Sequence, residues 1–275
     1  MSGSGYRDGM RAGSLLAAGD GFDVNAVRCA GARRGFDAPE ETTGHGLVFV
    51  RRGAFVRQVA GREVLLDSTV AYLTAPGEEQ RCAHPVGAGD TCIVIGLSPG
   101  LAVSLAGGRP GGLPAVPMDA ASEFAIRHVA ALARSGADID GELAEQVTGL
   151  VAALVARGRS AGGGPGNRGA AARERLAGQA REILLAEPNL GVIELARRVS
   201  CSPHYLSRVF SRVTGSGISA YRNRIRVSRA LERIGQGERD LAGLAHELGF
   251  ADHAHLTRTV RAVTGHTPTG CRALL

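Results

Sequence analysis

The chain has no lysine and no tryptophan, and aromatic residues make up only 4% of it. All 32 cationic side chains are therefore arginine, and with 40 glycines among 275 residues the missing lysine reads as the mark of a GC-rich coding sequence, with no mechanistic weight. So few rings leave little material for stacking a large planar ligand. No run of about 18 apolar residues occurs, which excludes a membrane-spanning helix, and no secretory signal is visible. Five cysteines, widely scattered, are too few for a secreted disulfide scaffold, so a reducing cytoplasm is the expected compartment. Catalytic signatures are missing too: there is no G-x-S-x-G, no phosphate-binding glycine loop, no HExxH, and no carboxylate pair marked by its context.

What is present sits mostly toward the carboxy terminus. In Leu195 to Gly215, LARRVSCSPHYLSRVFSRVTG, apolar Leu195, Ala196 and Val199 recur at helical spacing and Ser200 and Cys201 break the pattern. A second helix then begins, with Ser202 as its N-cap, Pro203 at the first helical position and Gly215 at its end. Leu206, Val209, Phe210 and Val213 mark its buried side, while His204, Tyr205, Ser207, Arg208 and Arg212 occupy the other. The spacing predicts a helix-turn-helix whose second helix donates to base edges and phosphates.

The pattern returns 49 to 50 residues later: Leu244, Ala245 and Leu248, then, after one extra turn residue, Leu256, Arg258, Thr264 and Gly265. Between the two units, Ser219 to Ile234 places Tyr221, Ile225, Leu231 and Ile234 on one side and Arg222, Arg226, Arg229 and Arg233 elsewhere, as in a connecting helix with a basic exterior. Charge follows the same division. Residues 168 to 275 hold 17 arginines against 9 acidic residues, a net of +8, whereas residues 1 to 167 are at −2. The basic half is the one that phosphate neutralisation requires.

Residues from about 171 to 275 resemble the DNA-binding domain of the AraC/XylS family of bacterial transcription regulators. The resemblance rests on the first unit as quoted, on Gly249-Phe250-Ala251-Asp252-His253-Ala254-His255-Leu256-Thr257-Arg258, which is similar to the family's GF-x-D-x-SHF-x-R pattern, and on Gly265-His266-Thr267-Pro268. Leu256 and Val260 stand where the family usually has Phe, and Cys271 where it usually has Tyr. The expectation is that His204, Tyr205, Ser207 and Arg208 enter one major groove and His253, Ala254, Thr257 and Arg258 the next. Arg208 and Arg258 would contact guanine, and Arg212, Arg222 and Arg261 phosphate.

The amino-terminal half has another texture. Residues 1 to 20 carry no sustained pattern and read as a flexible arm. Short β-type runs follow at Phe22 to Cys29, Gly46 to Val50, Ala54 to Val59, Arg62 to Leu66, Val70 to Thr74, Gln80 to His84 and Thr91 to Leu97. Strands at this spacing imply a sandwich or small barrel, and the family resemblance implies a cupin-like antiparallel β-barrel that binds a small effector. Two helices should follow. The second, Asp140 to Arg157, carries a stripe of Leu143, Val147, Leu150, Val151 and Leu154 that fits either a cover for the barrel or a dimer seam. Residues 158 to 170, rich in glycine, read as a flexible linker. The fold expected is thus α+β with two domains: residues 21 to 157 for effector binding and dimerisation, and an all-α DNA-binding domain over 171 to 275.

Candidate chemistry in the barrel falls on Cys29, His45, Cys82, His84, Asp90 and Cys92. If Gln80 to His84 and Thr91 to Leu97 form a hairpin, Cys82 faces Cys92 and His84 faces Asp90, all on one side. Three readings stay open: a site for Zn²⁺ or another thiophilic ion, a redox-sensing thiol pair, or small buried hydrophobes with a locally satisfied histidine. A metal-dependent cupin enzyme would need a closely spaced histidine pair, and only His45 and His84 are available. The function expected is a cytoplasmic, dimeric, sequence-specific DNA-binding regulator. Its partners would be double-stranded operator DNA, a small effector and a second copy, with RNA polymerase a further candidate and no membrane. The alternatives are an architectural DNA-binding protein and a cupin-type enzyme.

Overall fold

The computed structural model describes residues 11–31, 35–85, 89–106, 113–136, 138–161 and 168–275. The chain divides into two compact units, Met1–Gly162 with Leu274–Leu275, and Gly163–Ala273. Among the described residues of the first, ten strands run as β1 (Arg11–Gly19), β2 (Phe22–Cys29), β3 (Glu40–Glu41), β4 (His45–Arg52), β5 (Phe55–Val59), β6 (Arg62–Leu66), β7 (Val70–Thr74), β8 (Glu79–Ala83), β9 (Asp90–Leu97) and β10 (Leu113–Pro117). Helices α1 (Pro99–Ala106), α2 (Ala120–Ser135) and α3 (Ala144–Ala161) complete it, with a single π-helical turn, Ile139–Leu143, leading into α3.

The strands form two antiparallel sheets, ordered β1-β2-β9-β4-β7-β10 and β3-β8-β5-β6, rather than one closed barrel, so the cupin likeness is approximate. Strand parity explains the layering. In the central strands β4 and β9, Leu47, Phe49, Ile93 and Ile95 point to a core shared with α2 and α3. Their alternates Val48, Val50 and Cys92 point the other way, into a core with Phe55, Leu66 and Cys82 of the smaller sheet. Both faces are covered, and these strands accordingly read as continuous apolar runs.

Three expectations change here. Residues 11–19 of the expected arm are β1, paired along its length with β2; residues 1–10 lie outside the described residues. Its only buried side chain is Ala17, so an edge strand of this kind carries almost no inward periodicity to read. The helical stripe Leu143, Val147, Leu150, Val151 and Leu154 is consumed by the core of its own domain, which removes it as a dimer seam. Finally, β8 and β9 do not pair: β8 lies between β3 and β5, and β9 between β2 and β4. The expected hairpin is absent because the two runs belong to different sheets.

Among the described residues of the second unit the elements are all helices: α4 (Arg168–Ala186), α5 (Val192–Arg198), α6 (Pro203–Thr214), α7 (Ile218–Gly235), α8 (Leu241–Glu247), α9 (His253–Thr264) and α10 (Pro268–Leu274). Of the expected linker, α3 takes residues up to Ala161 and α4 those from Arg168; residues 162–167 lie outside the described residues. The 18 residues of α7 make a rod about 27 Å long. Tyr221, Ile225, Leu231 and Ile234 are its buried side.

Candidate functional site

The α5–α6 and α8–α9 pairs are the same device built twice. In the first, the amide of Cys201 donates to the Ala196 carbonyl at 3.0 Å; in the second, Phe250 donates to Ala245 at 2.9 Å. Both turns need a left-handed residue, Ser200 (φ 55°) in one and Gly249 (φ 75°) in the other. Ser202 Oγ accepts from the Tyr205 amide at 3.2 Å and Asp252 Oδ1 from the His255 amide at 2.6 Å, so each second helix is N-capped. Each ends alike: Thr214 and Thr264 hydroxyls donate to Phe210 and Val260 carbonyls at 2.9 Å, and Gly215 and Gly265 follow in the left-handed region. A motif repeated bond for bond fixes where the free face of each helix lies.

On α6 that face carries exposed His204, Tyr205, Ser207, Arg208 and Arg212, while Leu206, Val209 and Phe210 are buried. Val213, expected inside, is 38% exposed. The Arg208 guanidinium lies 5.7 Å from the Tyr205 ring centre, so the ring supports it without removing its donors. On α9, His253, Ala254, Arg258 and Arg261 are exposed, and half-buried Thr257 has its hydroxyl 3.4 Å from His253 Nε2. His255 behaves differently from its counterpart Tyr205. Its Nδ1 accepts the Ala251 amide at 3.2 Å and its ring meets Phe250 edge-on at 5.4 Å, so the extra turn residue draws it into the fold.

Arg222, expected at phosphate, has another occupation: its Nη1 donates to the Leu190 carbonyl at 2.7 Å. Arg226 reaches Asn189 Oδ1 at 2.6 Å, Arg229 the Leu185 carbonyl, and Arg233 both Glu238 and Glu247. The basic exterior of α7 thus staples the helix to the end of α4, to the segment after it and to α8. Helical periodicity places these arginines off the apolar side but says nothing of the carbonyls that face them.

In the first unit, the expected chemical residues separate. His45 pairs with Leu97, at the opposite end of β9 from Asp90. The two positions are seven residue steps apart along the strand, roughly 23 Å, so His45 joins no cluster with His84. At the other end, Cys29 pairs directly with Asp90 across β2 and β9, which puts their side chains on one face. His84, just past β8, closes the group from the smaller sheet: its Nε2 lies 2.7 Å from Asp90 Oδ2, and the Cys92 thiol donates to Asp90 Oδ1 at 3.0 Å. Cys29, His84 and Asp90 offer ligand atoms within 4.8 Å of one another, and all three residues are buried. All five cysteines are free thiols. Burial pushes the Cys82 thiol up to about 12, opposed by the Arg11 charge, and burial together with the Asp90 carboxylate carries Cys92 well above the usual thiol range. Thiols held neutral in this way are poor nucleophiles and slow to oxidise.

Asp90, one of the six candidates read from the sequence, is the hub of the cluster. Sequence reasoning passed over one buried group, Arg57. Arg57 is 1% exposed between the sheets, with Nε on Gln80 Oε1 at 2.6 Å, Nη2 on Glu78 Oε2 at 2.6 Å and its guanidinium 4.4 Å from the Tyr72 ring centre. Its Nη1 has no hydrogen-bond partner among the described residues. The available signal was parity: Arg57 shares the inward side of β5 with Phe55.

Residues 195–273 match the family described as "Helix-turn-helix domain". The chain is 28% identical over 89 residues to the arabinose operon regulatory protein of Escherichia coli K12, a match that covers 32% of this chain and 30% of that protein. It is 30% identical over 84 residues to the regulatory protein PocR of Salmonella typhimurium, covering 30% and 28% of the two chains. The carboxy-terminal unit is a helix-turn-helix domain of the AraC/XylS family. The chain spans about 30% of the length of the curated relatives it matches. Solved structures similar to it include ToxT from Vibrio cholerae O395 (12% identity, TM-score 0.39, 94% of this chain and 99% of that one). Another is a transcriptional regulator with an AraC-type DNA-binding domain from Chromobacterium violaceum (25% identity, TM-score 0.36, 38% and 94%). Where this AraC/XylS domain departs from the family's usual residues, at Leu256, Val260 and Cys271, the side chains are fully buried. These departures alter packing and leave the exposed face of α9 as it is.

Proposed function

We propose that the chain is a sequence-specific DNA-binding transcription regulator whose amino-terminal domain senses a small effector. The observation that carries this reading is the duplicated helix-turn-helix, each copy presenting a capped second helix with its apolar side buried and its donor-bearing side exposed. Two such helices in one chain suit successive major-groove turns, with Arg208 and Arg258 as the guanine readers and Arg212 and Arg261 as phosphate contacts. An effector bound in the first domain acts through its different affinity for two arrangements of the DNA-binding unit. The test is a titration of the full chain against a duplex selected from a random pool and a scrambled duplex, across a salt series. A preference of at least a hundredfold with a steep salt slope supports regulation. Equal binding to both duplexes supports an architectural role, and no binding overturns the DNA reading.

A further inference from the structure

We propose that Cys29 Sγ, an imidazole nitrogen of His84 and a carboxylate oxygen of Asp90 form a binding site for one thiophilic divalent cation of the Zn²⁺ type, at one end of the space between the two sheets.

Three observations converge on this site. The first is spacing. Ligand atoms around a tetrahedral zinc sit roughly 3.2 to 3.8 Å apart, as follows from bond lengths of about 2.0 to 2.3 Å. The three candidate atoms lie within 4.8 Å of one another, and His84 Nε2 and Asp90 Oδ2 are already 2.7 Å apart. Side-chain adjustments on the order of 1 Å bring the set to ligand spacing.

The second is charge. A thiolate and a carboxylate cancel a 2+ ion, and the neutral imidazole completes the set, so the loaded site buries no net charge. Loading forms metal bonds to sulfur, nitrogen and oxygen, and the Cys29 thiol proton passes to solvent. The fourth position is left for water or an effector atom, as in open zinc sites.

The third is the way the backbone is built to bring the three together. Cys29 and Asp90 are cross-strand partners on the larger sheet, and His84 comes from the smaller one. Gly89 lies so close to the end of β2 that a Cβ there would stand 2.1 Å from the Cys29 carbonyl. Gly31 has no side chain at a point 3.4 Å from both Cys29 Sγ and His84 Nδ1, which leaves space beside both ligands. The Cys92 thiol donates to Asp90 Oδ1 and orients the carboxylate from behind. Cys82 and Cys92 are not ligands in this assignment.

The site stands whether or not the chain regulates transcription, because its assays read metal and not DNA. The full-length protein, reduced without a thiol reagent, is loaded with Zn²⁺ and passed through gel filtration. About one zinc retained per chain is expected, and none retained overturns the proposal. X-ray absorption at the zinc edge then counts ligands in the unaltered chain: one sulfur at about 2.3 Å with nitrogen and oxygen at about 2.0 to 2.2 Å is expected. No sulfur, or two or more, overturns the assignment without any variant having to fold. Cys29→Ser and His84→Ala should each weaken zinc affinity at least tenfold while Cys201→Ser leaves it unchanged. Unchanged affinity in a folded Cys29→Ser chain overturns the proposal as well.

Discussion

Arg208 and Arg222 put the proposed division between a DNA-reading arginine and a structural one to the test. Arg208 is exposed on α6 and leans on Tyr205, with its donors outward, so Arg208→Ala removes little from the fold. Its stability should stay within about 0.5 kcal/mol of the unaltered chain. Loss of a bidentate base contact costs about 1 to 3 kcal/mol, which is roughly a 5- to 150-fold weaker Kd for the preferred duplex, with a much smaller change for scrambled DNA. Arg222 inverts the pattern. Its Nη1 donates to the Leu190 carbonyl at 2.7 Å, and removing a bond from a charged donor to a half-buried acceptor should cost about 1 to 2 kcal/mol of stability. Sequence preference of the Arg222→Ala chain, measured well below its unfolding transition, should be unchanged. The assay is a DNA titration at several salt concentrations paired with urea denaturation of the same samples. Equal loss on preferred and scrambled duplexes for Arg208→Ala, with the salt slope reduced by about one, would make Arg208 a phosphate contact. An Arg222→Ala chain with full stability and uniformly weaker DNA binding would refute the structural role and restore the phosphate role its position in the sequence suggests.

Further consequences follow from single positions. Gly89→Ala places a Cβ 2.1 Å from the Cys29 carbonyl at φ 71°, so the midpoint of denaturation should fall by an amount equivalent to more than about 2 kcal/mol; an unchanged midpoint would contradict the close approach. Asp252→Ala removes the cap of α9 and should cost about 1 kcal/mol by the same measurement, whereas Asp252→Asn keeps the acceptor and should lose far less. Asp119 caps α2 at the Ser122 amide and meets Arg157 at 2.7 Å. Although partial burial opposes its charge, these hydrogen bonds hold the carboxyl at about 2, down from 3.8. Because the folded value is the lower one, its stabilisation is present above about 3.8 and is lost as pH falls toward about 2. Asp119→Asn should therefore flatten the decline of stability across that window, most clearly at low salt, because the group is more than a third exposed. A decline as steep as in the unaltered chain would show that other groups carry it.

Elements fixed by local chemistry were legible in the sequence. The Ser202-Pro203 start of α6, the Gly215 and Gly265 stops and the apolar spacing of Leu206, Val209 and Phe210 are short-range signals, and the structure reproduces each, with Val213 alone left exposed among the four apolar positions expected inside α6. The seven strands expected from texture are present within a few residues of their expected ends. Pairing was not legible, because period-two alternation specifies a strand's faces and not its neighbour. Cys82 and Cys92 do share the interior between the sheets, but β8 and β9 reach it from opposite sides, so the expected hairpin register has no counterpart. The staples from α7 were hidden for the same reason: Arg222 and Arg229 bond to carbonyls of Leu190 and Leu185, and backbone acceptors leave no mark in a sequence.

The cluster at Cys29, His84 and Asp90 shows how a wrong pairing can still indicate the right residues. Alternation along Asp90, Thr91 and Cys92 places Asp90 and Cys92 on the same face whatever strand lies beside them. What the neighbour decides is which thiol comes opposite the carboxylate, and with β2 in that place it is Cys29 rather than a residue of β8. An acidic side chain at an inward position of a central strand is costly to bury alone, so it demands a partner from some element. His84 answers that demand from across the sandwich at 2.7 Å. Arg57 on β5 poses the same problem with the opposite sign, and Glu78, Gln80 and the face of Tyr72 answer it. Polar residues at inward parity are thus the positions where the sequence announces a three-dimensional commitment without naming the partner, and Asp90 and Arg57 both meet theirs between the two sheets.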